Sequence, residues 1–243
     1  MMPLSIVLRS AIFFLLQSIL TVIWSLLSLL TFPFRPITRY RIITAWSRIV
    51  IWLARVLCGI RYEVLGLENL PAQPGIVLSK HQSAWETLAF QVFLPPQVWV
   101  LKRSLLRVPF FGWGLAMMNP IAIDREAGMR ALKQTLEQGR ERLDQGFWII
   151  IFPEGHRFPP GHKTTYQVGG AWLATQTGAM AVPVALNSGH LWPRGSFLKY
   201  PGKITVSIGQ PIDPIGLKAG ELNRRVEDWI ELESNRLGNA RCS

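Results

Sequence analysis

The sequence predicts an α/β fold, with a central mixed sheet flanked by helices and an N-terminal membrane-embedded helical segment before it. Three observations predict this. No charged residue occurs between Ser10 and Phe34, a run bracketed by Arg9 and Arg35. The first acidic residue of the chain is Glu63, so everything before it is neutral or basic. After Glu63, short Val- and Ile-rich runs alternate with longer helical patterns, the signature of βαβ units. Residues 1–61 therefore read as a membrane-anchoring segment and 62–243 as an α/β domain.

The uncharged run, as a helix, extends about 37 Å against a hydrocarbon core of roughly 30 Å. It spans a bilayer with tilt or lies obliquely in one leaflet, and it is too long for the apolar region of a cleavable signal peptide. Pro33 and Pro36 should end it, because proline cannot continue the backbone ladder. A second helix is predicted from Thr38 to Gly59. Arg41, Arg48 and Arg55 recur along one stripe of it, while Ile43, Trp46, Val50, Leu53 and Leu57 fall at spacings of three and four on another side. Such a basic amphipathic helix suits the surface of an anionic bilayer, although an ordinary solvated face gives the same pattern. Basic residues crowd the C-terminal flank of the apolar run, which puts residues 35 onward on the cytoplasmic side of an inner membrane.

Within the α/β domain, strands are predicted at Gly75–Ser79, Val98–Lys102, Phe147–Phe152, Ala181–Leu186 and Lys203–Ile208. Helices are predicted at Ala84–Phe93, Ala127–Gln145, Gly170–Thr177 and Glu221–Leu237. Asp124 is the expected cap of the second of these, with Met129, Leu132, Leu136 and Leu143 on its inner face.

Composition narrows the function. Hydrophobic residues make up 49% of the chain and charged ones 17%, yet the formal net charge is +11, so a polyanionic surface or substrate is expected. The ten Trp residues lie mostly in apolar contexts, as at Trp24, Trp46, Trp52 and Trp148, and are not interleaved with Lys and Arg as a base-stacking platform requires. Anionic lipid is the expected partner; nucleic acid is not. Cys58 and Cys242 make neither a disulfide framework nor a metal site, which fits a reducing compartment.

Two segments could carry chemistry. The first, Ser79-Lys80-His81-Gln82-Ser83-Ala84-Trp85-Glu86, falls where a strand ends and a helix begins, the usual place for active sites in open α/β sheets. If His81 precedes the helix and Glu86 lies in its first turn, the carboxylate can reach back, hold one ring nitrogen as N–H and leave the other free to accept a proton. No Gly-x-Ser-x-Gly elbow surrounds Ser83. The second segment, Phe152-Pro153-Glu154-Gly155-His156-Arg157, follows the Ile-rich strand. Its arginine offers a planar fork to phosphate oxygens, but a turn with a surface ion pair would read the same. His162 and His190 read as ordinary polar residues, and no histidine pair has ligand spacing, so neither metal nor other cofactor is expected.

Residues 79–86, 109–125, 152–157 and 182–184 resemble, in order and spacing, the four blocks of the glycerolipid acyltransferase family, with closest similarity to its bacterial 1-acyl-glycerol-3-phosphate members. The resemblance covers roughly residues 75–190. It implies that His81 is the general base and Glu86 its orienting partner, where the family has Asp. It implies that Arg125 binds the acceptor, that Glu154, Gly155 and Arg157 help bind glycerol phosphate with His156 in place of Thr, and that Lys102 contacts the phosphate. Val182-Pro183-Val184 matches the fourth block. The implied reaction moves a fatty acyl group from acyl-CoA or acyl carrier protein to the free sn-2 hydroxyl of lysophosphatidic acid, giving phosphatidic acid. An acceptor such as glycerol 3-phosphate or another lysolipid is the alternative within this class. A non-catalytic protein that binds anionic lipid is the alternative outside it, and it would leave the His81–Glu86 pairing without a use.

Overall fold

The computed structural model describes residues 4–124 and 128–239. Arg125, the Ala127 start of one predicted helix and Cys242 lie outside them. In chain order the elements are α1 (Leu4–Leu29), α2 (Pro36–Ile43), α3 (Ala45–Cys58), β1 (Ile60–Leu65), β2 (Ile76–Ser79), α4 (Trp85–Phe93), β3 (Gln97–Lys102), α5 (Phe111–Met117), β4 (Ile121–Ile123), α6 (Met129–Asp144), β5 (Trp148–Ile151), α7 (Gly169–Thr177), β6 (Ala181–Leu186), β7 (Gly202–Ile208) and α8 (Ala219–Asn239).

The strands form one sheet in the order β1-β7-β6-β2-β5-β3-β4. β6 and β7 run antiparallel and every other neighbouring pair runs parallel, so the sheet is mixed, as the sequence predicts. The carboxyl ends of β2, β3, β4, β5 and β6 consequently share one edge, where side chains and loops can converge. Consecutive residues of β2 and β5 are all solvent-inaccessible (Ile76, Val77 and Leu78; Ile149 and Ile150), so both faces of the sheet are covered. α6, α7 and α8 pack side by side, and α3 and α4 pack against each other. Gly170 at the start of α7 sits so close to β2 that an added Cβ would lie 2.4 Å from Leu78 Cδ2, which is why the smallest residue stands there.

One apolar core runs through both predicted segments: Phe13, Tyr40 and Val50 belong to the same buried cluster as Ile76 and Ile149. α1 is turned inside out relative to a water-soluble helix. Ser10, Phe13, Ser25 and Ser28 face the protein, whereas Leu8, Phe14, Leu15, Ile19, Ile23, Leu26 and Leu27 are exposed. Small groups form its seam with α5, where Gly114 lies against Ser25 and Ser28. Close approach over small residues is the usual way helices pack when the surroundings are as apolar as their side chains. Mean hydropathy over the most apolar stretch of α1 is 2.2, which makes it a candidate membrane span.

Three expectations need correction. The helix predicted over Thr38–Gly59 is two helices meeting at Thr44, because the Trp24 indole N–H donates to the Ile43 carbonyl at 2.9 Å and diverts an acceptor that a continuous helix would use. Ile43, Val50 and Leu53 are buried as expected, and Arg41, Arg48 and Arg55 are exposed, but Arg41 lies on the shorter helix. Asp124 does not cap α6, which begins at Met129 after Gly128. Of the inner face expected for α6, Leu136 and Leu143 pack against the core and the Met129 side chain lies outside the described residues, while among the described side chains Ala131, Thr135 and Arg142 are buried more deeply, because Gly139 brings that face against Leu173 and Ile149. Pro36 opens α2 at its first turn, where its missing N–H costs nothing.

Candidate active site

His81 lies in the short link between β2 and α4, at the carboxyl edge of the sheet. Glu86 occupies the first turn of α4 and is completely buried. Its Oε1 lies 3.0 Å from His81 Nδ1 and also accepts the backbone N–H groups of Gln82 and Ser83, both at 2.7 Å. Its Oε2 accepts the hydroxyls of Ser83 and Ser188, both at 2.8 Å. Burial pushes the carboxyl pKa up, but the bonds from His81, Ser83 and Ser188 outweigh it and hold Glu86 below the usual carboxylate range. An ionised carboxylate only accepts, so Nδ1 carries the hydrogen and Nε2 presents its lone pair.

The second segment folds over the same ring. Phe152, directly after β5, stacks on the imidazole with centroids 3.8 Å apart and planes 15° apart. Gly155 turns the chain with φ of 73°, a conformation that glycine adopts without a steric penalty. Arg157 then returns so that its Nε stands 3.4 Å from His81 Nε2. Its loop is pinned from both sides: Phe158 N–H donates to the His81 carbonyl at 2.9 Å, and Arg194 donates to the Arg157 carbonyl at 2.7 Å.

Glu154 sits differently from a residue that meets a ligand directly. Its side chain is buried, Oε2 accepts the His81 backbone N–H at 2.7 Å, and Oε1 pairs with Lys80 Nζ at 2.8 Å. Burial raises its pKa, only partly offset by Lys80. Lys102 ends β3 and is exposed on the same sheet edge. Glu86, Glu154 and Arg157 thus each contact His81, Gly155 forms the turn between two of them, and Arg125 falls outside the described residues. Sequence reasoning missed Ser188, Phe152 as a stacking partner, and Lys80 as a buried cation. A lysine closing a Val/Ile strand before His81 was the one available signal, and nothing marked Ser188.

Residues 61–187 match the model of the family described as Acyltransferase. The chain belongs to the acyltransferase family. It is 47% identical over 227 residues to the 1-acyl-sn-glycerol-3-phosphate acyltransferase of Pseudomonas aeruginosa, covering 91% of this chain and 88% of that one. Identity to the corresponding enzyme of Limnanthes alba is 31%, over 80% of this chain and 69% of that one. The crystal structure of the 1-acyl-sn-glycerophosphate acyltransferase of Thermotoga maritima superposes with a TM-score of 0.78 at 24% identity, covering 96% of each chain, and so shares the fold. In this acyltransferase the matched segment holds His81, Glu86, Glu154 and Arg157, and leaves α1–α3 and α8 outside.

Proposed function

We propose that the protein transfers a fatty acyl group from an acyl thioester, carried on coenzyme A or acyl carrier protein, to the sn-2 hydroxyl of lysophosphatidic acid, producing phosphatidic acid. The observation that carries this reading is the His81–Glu86 pair, which holds the imidazole by Nδ1 and turns its Nε2 toward the Arg157 guanidinium. His81 takes the proton of the acceptor hydroxyl as its oxygen attacks the thioester carbonyl, and the Glu86 carboxylate offsets the positive charge that forms on the ring. Collapse of the tetrahedral intermediate breaks the C–S bond, and the imidazolium returns its proton to the leaving sulfur. The acceptor hydroxyl is itself the nucleophile, so no acyl-enzyme is required.

Arg157, the turn at Gly155, Lys102 and Arg125 receive the acceptor's phosphate, with charge-assisted hydrogen bonds that also bring the hydroxyl to the base. Glu154 contributes from the interior, by fixing the His81 backbone. α1 lies in the cytoplasmic membrane, and the basic face of α2 and α3 rests on its anionic lipids, with the catalytic edge on the cytoplasmic side.

Product identification tests the proposal. Purified full-length protein, supplied with a labelled acyl thioester and lysophosphatidate, should form labelled phosphatidate, and His81→Ala should not. Labelled lysophosphatidate formed from glycerol 3-phosphate, with none of the diacyl product, would reassign the acceptor.

A further inference from the structure

We infer that Glu231, on the C-terminal helix α8, is a positioning residue for the catalytic loop, acting through Lys80 and Glu154 on the backbone of His81. The inference rests on the acyl-transfer reading above.

Lys80 is almost wholly buried, at 1% exposure, although it immediately precedes the base. Its ammonium donates to Glu231 Oε1 at 2.6 Å and to the His162 carbonyl at 3.4 Å, and it stands in an ion pair with Glu154 Oε1 at 2.8 Å. Tyr166 donates its hydroxyl to the same Glu231 oxygen at 2.8 Å, and its ring lies 5.8 Å from the ammonium. Asn223, also on α8, donates to the Tyr166 carbonyl at 3.2 Å and ties that residue to the same helix. Glu231 therefore anchors one end of a chain whose other end is the His81 amide, through Glu154 Oε2 at 2.7 Å.

Packing alone does not set the loop on this side. A polar cavity of about 250 Å³ opens beside it, lined by Lys80, Gln82, Glu231 and Ser234 among others. An ion pair to Glu154 and hydrogen bonds to Glu231 and the His162 carbonyl, all on one buried cation, hold the loop there instead. A shift of Glu154 passes to the residue whose Nδ1 must stay on Glu86 and whose Nε2 must meet the acceptor. α8 lies beyond the segment that matches the family, and the network makes it part of the working site.

The test uses full-length protein in detergent micelles, with lysophosphatidate and an acyl-CoA as substrates. Glu231→Ala should lower kcat by about tenfold or more while KM for both substrates stays within about twofold, since a positioning error of a fraction of an ångström acts on the chemical step. Glu231→Gln keeps an oxygen that accepts from Lys80 and Tyr166, and should recover about threefold of that loss. Tyr166→Phe removes one hydrogen bond and should cost about threefold in kcat, which keeps the question open to test if the alanine variant does not fold. His81 carbethoxylation by diethyl pyrocarbonate should change rate in Glu231→Ala and return toward wild type in Glu231→Gln. Folded Glu231→Ala with wild-type kcat, a loss confined to acceptor KM, or unchanged carbethoxylation would overturn the inference. Wild-type protein without acyltransferase activity would overturn the functional reading instead, and the carbethoxylation comparison would still decide the positioning role.

Discussion

Glu86 shows how much a single carboxylate can be asked to do. Five hydrogen-bond contacts converge on its two oxygens, from His81, the Gln82 and Ser83 amides and the Ser83 and Ser188 hydroxyls. With this many donors the group stays charged although it is out of contact with water, and a charged group fixes the ring tautomer. Glu86→Gln nearly preserves shape but loses the charge, and should cut kcat by up to about 10⁴, the loss seen when the carboxylate of a catalytic triad is neutralised. Glu86→Asp keeps the charge but withdraws it by one methylene, and a displacement of about 1 Å should cost roughly 10²-fold. Steady-state kinetics on folded variants should give the order wild type, Asp, Gln, with His81→Ala at or below Gln; near wild-type turnover for Gln would detach Glu86 from catalysis. The His81–Glu86 geometry was legible in the sequence because it is local, a five-residue separation across a strand end and a first helical turn. Ser188 was not, because it lies 102 residues from Glu86 and only the pairing of β6 beside β2 brings it there. The position of Lys80 at the end of a Val/Ile strand hinted at burial, but its two carboxylate partners, Glu154 and Glu231, come from distant parts of the chain and could not be read.

At the level of elements, what the sequence revealed depended on how each helix or strand is supported. Strands buried on both faces announced themselves as apolar runs, and β2, β3, β5, β6 and β7 fall within a residue of expectation. β1 did not, because Arg61 and Glu63 interrupt an edge strand of mixed exposure, and β4 is only three residues long. α5 was hidden by Gly112 and Gly114, which weaken a helical pattern and serve instead to admit neighbours. That role is testable. A Cβ on Gly114 would stand 3.3 Å from Ser25 Oγ and 3.6 Å from Ser25 Cα. Gly114→Leu should therefore prise α5 from α1 and destabilise the protein by about 1–3 kcal/mol through overpacking, read as a lower thermal midpoint. An unchanged midpoint would show that the seam is loose. The apolar run of α1 was plain in the sequence, but which side of it faces the protein was not, since serines tolerate either surrounding and only the tertiary contacts decide.

For the molecule as a whole, the outward leucines and phenylalanines of α1 set the solvent the protein requires. Exposed apolar area of this extent favours a lipid surface, and the stabilisation comes from burial that salt does not screen. Full-length protein should stay with the membrane fraction through high salt and alkaline carbonate, and recovery in the supernatant would remove the membrane from this account. The general architecture was readable from composition because acidic residues, Val/Ile runs and uncharged stretches are spatially segregated along the chain. The sharing of one core was not readable, because it depends on contacts such as the Lys199 amide donating to Ser10 Oγ at 3.0 Å and Phe13 meeting Trp192 edge-on at 5.2 Å. Those two contacts also impose a timetable on biogenesis. α1 is synthesised before Trp192 and Lys199, so this part of the interior cannot close until the segment that carries them returns to α1. A nascent chain that reaches lipid early waits with its serine stripe ready for docking, whereas one that misses the bilayer offers an oily helix to chaperones and proteases before its sheet is complete.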